Sequence, residues 1–266
     1  MLVPNLKSNI LEAKKIRKSF GSLVALDDLD FEVEKGSIFG IAGPNGAGKS
    51  VLFNVITGNP YPPDSGHVYL DGEDITNLPT YKIAKMGLAR TFQVPIVFQD
   101  LTVLENVMLG VAFGKEKDSL GILGSKKKDS FEAVRVLESL GVLREKSNVH
   151  VGGLPLIDKK MTMIASALAT EPEILMLDEP MAGLNPKEIG LIFDTTKRIN
   201  KNGITIVIIE HIMNALVGIS DEMMILDHGV KIAQGKPEEV VNDQGVIEAY
   251  LGSRKVTQWA SSATNC

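Results

Sequence analysis

One stretch constrains this chain more than any other: Gly43-Pro44-Asn45-Gly46-Ala47-Gly48-Lys49-Ser50, which fits the pattern G-x-x-x-x-G-K-[ST]. It follows the apolar run Ile38-Phe39-Gly40-Ile41, which reads as a buried strand, and leads into Lys49 to Ile56, which reads as a helix. Small residues let successive backbone N–H groups turn inward around phosphate oxygens, and a helix N-terminus adds partial positive charge. Lys49 is then placed to reach β- and γ-phosphates, and the Ser50 hydroxyl to bind Mg²⁺. The bland alternative, a chance glycine-rich turn, does not account for the strand before it and the helix after it.

A second run supports the first. Ile174-Leu-Met-Leu is strand-sized and ends in Asp178-Glu179, so two carboxylates are delivered at the C-terminal end of a buried strand, where ligands sit in open α/β sheets. Asp178 suits a Mg²⁺ shell, and Glu179 is suited to polarise a water for attack on the γ-phosphate. Taken without the loop, the acidic pair reads equally well as a strand ending. His211 follows the apolar run Ile204 to Ile209 and Glu210; on position alone it is a satisfied structural histidine. His67, His150 and His228 fall in expected loops and receive no role.

The remaining pattern is α/β. Leu29, Phe31 and Val33 alternate with acids, and Val68 to Leu70 precedes an Asp71-Gly72 turn, which gives antiparallel β-structure beside the loop. From Asp100 to about Val149 the spacing of Leu101, Leu104, Val107 and Met108 is helical. Gly114 to Ser130 reads as a loop, before a helix carrying Phe131, Val134, Leu137 and Leu140. Lys126-Lys-Lys128 is expected in that loop, as a solvated charge run. The second half alternates strand and helix and closes with a hairpin about Asp227-His228-Gly229, which predicts a mostly parallel sheet covered on both faces.

With 266 residues, 44% hydrophobic, the chain has material for one large domain with an insert. The expected layout is a single domain over 9–252, a helical insert near 96–160 and a flexible tail over 253–266 that carries Trp259 and Cys266. A formal net charge of −5 argues against a nucleic-acid partner. One cysteine excludes an intramolecular disulfide, and no apolar run approaches 18 residues, so a soluble, cytoplasmic protein is expected.

In this order, the loop, Gln93 in Arg90-Thr-Phe-Gln93, Asp178-Glu179 and His211 resemble the nucleotide-binding subunits of ABC transporters, over Leu11 to Gly252. Within that family, Gly87-Leu-Ala-Arg-Thr-Phe-Gln, Leu101-Thr-Val-Leu-Glu-Asn-Val, Asp178-Glu-Pro-Met-Ala-Gly-Leu-Asn-Pro and Glu248-Ala-Tyr-Leu-Gly252 resemble ATPase subunits of branched-chain amino acid importers. The resemblance implies a P-loop NTPase (RecA-like) α/β core with an antiparallel β-subdomain and a helical insert subdomain. It also implies ATP and Mg²⁺, a second ATPase subunit, membrane permease subunits on the cytoplasmic face of the membrane and, indirectly, a solute-binding protein. By position, Phe20 matches the aromatic that stacks on adenine and Gln93 the residue linking the Mg²⁺ and lytic-water region to the membrane-domain interface. Glu179 matches the catalytic carboxylate, His211 the γ-phosphate switch and Ala182-Gly-Leu-Asn185 the subunit-crossing loop.

Two positions depart from the family. Val51 replaces a second hydroxyl after Ser50 but keeps its N–H. The signature segment, Leu-Ser-Gly-Gly-Gln in the family, aligns without gaps to Leu154-Pro155-Leu156-Ile157-Asp158, with a rival register on Gly152-Gly153. Pro155 removes a hydroxyl and an N–H, Leu156 and Ile157 add bulk, and Asp158 is expected to face phosphate with negative charge. Two unequal ATP sites follow as an expectation. Val94-Pro-Ile-Val-Phe98 and the helix after it offer an apolar groove for the membrane subunit if exposed, or core packing if not. A soluble, non-transport ABC ATPase and a nucleotide-binding module with little hydrolysis are the competing readings.

Overall fold

The computed structural model describes residues 8–114, 126–141 and 144–251. Two sheets organise it. The first is antiparallel, in the order β2 (Leu23–Glu34), β1 (Asn9–Phe20), β4 (Ser65–Leu70), β5 (Glu73–Asp74). The second runs β10 (Val230–Gly235), β9 (Glu222–Asp227), β3 (Ile38–Ala42), β8 (Thr205–Ile209), β7 (Ile174–Asp178), β6 (Leu88–Arg90). Every pairing from β9 to β6 is parallel, and only the β9–β10 hairpin is antiparallel.

The fully buried strands β3, β7 and β8 explain their unbroken apolar sequence, since both faces of a parallel sheet are covered. Alternation along β7 and β8 divides the core. Ile174, Met176, Val207 and Ile209 pack with α1 (Lys49–Ile56) and the antiparallel sheet. Leu175, Leu177, Ile206 and Ile208 face the other core, which includes residues of α5 (Leu156–Leu168), α6 (Pro186–Lys201) and α7 (Met213–Ile219). Asn185 caps α6 with a reciprocal Glu188 bond and Pro186 at its first turn, a sequence-legible helix start.

Between β6 and β7 lie α3 (Val103–Ala112), α4 (Lys126–Leu140) and α5. Thr102 and Glu105 form a capping box that starts α3. Gly110 lets α3 approach α5 closely, because a Cβ there would fall 2.1 Å from the Ser166 carbonyl oxygen. Helix α4 corrects the sequence reading once. It begins at Lys126, so Lys126 to Ser130 belong to its opening turns rather than to a loop; lysine is a good helix former, and Ala133, Leu137 and Leu140 anchor the helix in the core. Phe131, which the sequence reading put on this helix, is exposed.

Strand β1 was not marked by alternation because its register shifts between Ala13 and Ile16, with Lys15 at a φ of 51°. Its inward side chains, Leu11, Ala13 and Ile16, are spaced two and then three residues apart, as a bulge requires. The chain closes with α8 (Pro237–Val240) and α9 (Gln244–Leu251), after α2 (Thr80–Lys85) has led earlier into β6. No described helix is long and apolar enough to cross a membrane. The expected tail, with Trp259 and Cys266, lies outside the described residues.

Candidate active site

The phosphate loop leaves β3 at Ala42 and ends at Gly48, whose φ of 101° lies where glycine is favoured. A Cβ at Gly43 would fall 2.1 Å from the Leu226 carbonyl oxygen, so the loop is seated against β9 by lack of a side chain. No side chain caps α1, which leaves its first N–H groups and the positive end of its dipole to a ligand. Lys49 is buried and donates to the carbonyls of Gly43 (2.8 Å) and Pro44 (3.0 Å). An ammonium has three donors, so one remains for a phosphate oxygen. Burial pulls the Lys49 pKa below the ordinary lysine value, partly offset by Glu179 and Asp178.

The carboxylates stand where β7 ends. Asp178 is buried and its Oδ2 accepts from the Arg90 guanidinium at 2.8 Å. Glu179 adopts a φ of 46°, a strained conformation of the kind that clusters at functional sites. Its N–H donates to Ile209 O (3.0 Å), and its carbonyl accepts from the buried Lys160 ammonium of α5 (2.9 Å). Glu210 steadies the following loop by accepting from the Met181 amide at 2.6 Å; burial raises the Glu210 pKa, against hydrogen bonds from Met181 and His211 and the nearby Lys160. Both side-chain oxygens of Glu179 are engaged. The Gln93 amide donates to Oε2 at 2.6 Å, and His211 Nε2 lies 2.6 Å from Oε1.

Asn45 to Val51, Glu179, His211 and Phe20 line one cavity of about 380 Å³. Gly43, Pro44, Asp178 and Gln93 stand behind this lining and act on it through Lys49, Arg90 and Glu179. Phe20 ends β1 half-exposed, edge-on to Tyr61 at 5.0 Å and with the Lys18 ammonium 5.7 Å from its ring centre. His228, given no role from sequence, also lines the cavity, with Leu23, Val24 and Ala25. A larger cleft, about 890 Å³, lies along β1, β2 and β4. There Arg17 pairs with Asp27 and the Lys15 amide with Asp30, so its charges largely answer one another.

Pro155 sits at the N-cap of α5, and Leu154 to Asp158 occupy the helix start, while Val151–Gly153 form a separate turn before it. Asp158 does not face outward as expected. It is buried and paired with Lys146 Nζ at 2.5 Å, because its position on α5 turns it toward the segment before the helix. Leu156 is exposed and Ile157 buried. Val94, Ile96 and Phe98 are all more than 60% exposed, which decides against core packing for those three.

No group of three or more His, Cys, Asp or Glu among the described residues could hold a metal alone. A serine hydroxyl with one carboxylate is instead the donor set of Mg²⁺ that arrives with phosphate oxygens, and Ser50 with Asp178 fits it. A phosphate cradle, that donor pair and a carboxylate at the cavity wall, on a mostly parallel sheet, define a nucleoside-triphosphate-hydrolysing cassette.

Residues 26–182 match the family model described as ABC transporter, and 230–256 that of the branched-chain amino acid ATP-binding cassette transporter C-terminal segment. BraF of Pseudomonas aeruginosa, a high-affinity branched-chain amino acid transport ATP-binding protein, is 36% identical over 91% of this chain and 98% of its own length. LivG of Escherichia coli K12, similarly described, is 37% identical with the same coverage. A nucleotide-free ATP-binding cassette from an ABC transporter superposes with a TM-score of 0.83 at 33% identity, covering 92% of this chain and 100% of that one. A cassette in its ADP conformation gives 0.82 at 34%, covering 92% and 99%. A dimeric post-hydrolysis cassette bound to ADP and Pi gives 0.75 at 26%, covering 85% and 98%. The chain belongs to the ABC transporter family, as one of its ATP-binding, ATP-hydrolysing cassettes.

Proposed function

We propose that this chain powers an importer of branched-chain amino acids, hydrolysing ATP in a head-to-tail pair with a second cassette docked on permease subunits at the cytoplasmic face. The observation that carries the reading is Glu179, held between Gln93 and His211 at the wall of the phosphate cavity. The C-terminal match at 230–256 and the descriptions of BraF and LivG support the solute class, and the dimeric neighbour supports pairing. The single domain over 9–252, with its helical insert, is part of the same proposal.

Backbone amides of Gly46 to Val51 and the third donor of Lys49 bind the phosphates, and Phe20 supports adenine. Ser50 and Asp178 would hold a Mg²⁺, which would supply charge neutralisation to the phosphates. Once released from Gln93 and His211, Glu179 accepts the proton of the attacking water, and the His211 imidazole turns to the γ-phosphate. Gln93 is followed at once by the exposed Val94, Ile96 and Phe98, so permease contact on those side chains is transmitted to Glu179. Leu154 to Asp158 offers the partner's ATP a proline and an exposed leucine where donors are wanted. The two sites are therefore unequal, and the productive one uses this chain's Lys49, Glu179 and His211 with a partner's signature.

The test compares native protein with Glu179→Gln. Removing the base is expected to lower turnover by about 10²–10⁴-fold while ATP binding persists; equal turnover overturns the assignment. Co-assembly with the partner ATPase is expected to raise the rate of the chain alone, and vigorous turnover by the isolated homodimer would overturn the asymmetry. The competing reading, a binding module with little hydrolysis, draws on the same altered signature and is favoured if co-assembly leaves the rate near zero.

A further inference from the structure

The two metal donors come from different elements: Ser50 from α1 and Asp178 from the end of β7. One side chain ties those elements together. Arg90, at the end of β6, donates from Nη2 to Asp178 Oδ2 (2.8 Å) and from Nη1 to Asn54 Oδ1 (2.8 Å), Asn54 lying on α1 one turn beyond Ser50. Its guanidinium carbon stands 5.3 Å from the Phe53 ring centre and 5.0 Å from that of Phe92. Phe92 immediately precedes Gln93. The side chain is 7% exposed, and its Nε is buried with no hydrogen-bond partner. A desolvated cation with an unsatisfied N–H is costly. The planar fork and the two aromatic faces are what a lysine at this place could not use.

We propose that Arg90 is a positioning residue for the Mg²⁺–nucleotide site. It fixes Asp178 through Oδ2, so that Oδ1 would be the oxygen to serve a metal, and it fixes the spacing of Asp178 from Ser50 through Asn54. Through Phe92 it also joins this frame to the segment that carries Gln93. Arg90 does not line the phosphate cavity; it acts through Asp178 and α1. The inference rests on the proposed roles of Ser50 and Asp178, and its test separates failure of that reading from its own.

The experiment measures metal and nucleotide binding apart from turnover. A fluorescent ATP analogue is titrated into protein in EDTA, and Mn²⁺ is then titrated into the protein–ATP complex with free Mn²⁺ read by electron paramagnetic resonance. Arg90→Met is expected to leave metal-free nucleotide affinity within about twofold and to weaken Mn²⁺ binding about tenfold, the scale of a lost metal-ligand support. Arg90→Lys should recover part of that loss, and Asn54→Ala, which removes the main α1 prong (together with the Asn54 donation to Tyr61) and leaves Thr57 Oγ1 3.4 Å from Arg90 Nη1, should weaken Mn²⁺ binding by less than Arg90→Met. Thermal melts check folding, and Asn54→Ala carries the test if Arg90→Met does not fold. Unchanged Mn²⁺ binding in both variants overturns the proposal. Tighter binding also overturns it, because Arg90 would then compete with the metal. Failure of the native protein to bind the analogue, or a Mn²⁺ affinity unaltered by Asp178→Asn, would instead sink the underlying reading.

Discussion

Replacing Lys160 by methionine probes the link between α5 and the loop that carries Glu179. Lys160 is 2% exposed, and its ammonium donates to the Glu179 carbonyl at 2.9 Å. Burial pulls its pKa below the usual lysine value, while Glu210 and Glu179 pull it up. Methionine keeps the length and removes the desolvation cost of the charge. Against that gain, the Glu179 carbonyl keeps the Ala182 N–H at 3.2 Å but loses its charged donor, a bond worth about 1.5–3 kcal/mol, and buried Glu210 loses the cation near it. The left-handed conformation of Glu179 then rests on its backbone bonds with Ile209 and Ala182 and on Gln93 and His211 at its carboxylate. A net loss of about 1–3 kcal/mol is expected, seen as a lower urea midpoint by circular dichroism, with turnover reduced as well. Lys160→Gln, which retains a donor, should lose less. A methionine variant as stable and as active as the native protein would refute the claim that this ammonium holds the catalytic loop.

Gly110→Ala is expected to destabilise, although alanine is the better helix former by about 1 kcal/mol, because its Cβ would meet Ser166 O at 2.1 Å and Ala169 Cβ at 2.9 Å; a raised melting temperature would contradict the close α3–α5 seating. Nucleotide affinity should depend on pH through Lys49. Its charged form binds phosphate, and its pKa in the free protein is depressed, so affinity is full below that pKa and falls as pH rises through it, beginning below the ordinary lysine value of 10.5. Isothermal titration across neutral to alkaline pH checks this, and a profile that is unaltered in Lys49→Met would assign the dependence elsewhere.

Local chemistry is the part of this molecule that the sequence makes legible. The strand–loop–helix around Lys49 and the buried strands β7 and β8 are each specified by their own residues, and the expected helix Lys49 to Ile56 is the observed one. Convergence is not legible in that way. Gln93 and His211 reach Glu179 across 86 and 32 residues of chain, and only the family resemblance named them together. Arg90 stood inside a quoted motif without a role, since nothing in Leu88-Ala89-Arg90 signals an aspartate 88 residues away. The direction of Asp158 was misread for the same reason: its partner, Lys146, lies before α5, and facing is set by helix phase and packing, not by residue type.

The doubly held acid of the active site has a consequence for a cell. Each oxygen of Glu179 already has a neighbour, the Gln93 amide on one side and the His211 ring on the other. On the proposed role of Glu179 as base, a cassette resting in this arrangement keeps that base engaged even when fuel is abundant. On that reading idle subunits consume slowly without a separate inhibitor, and consumption rises when something outside the subunit disturbs the clasp.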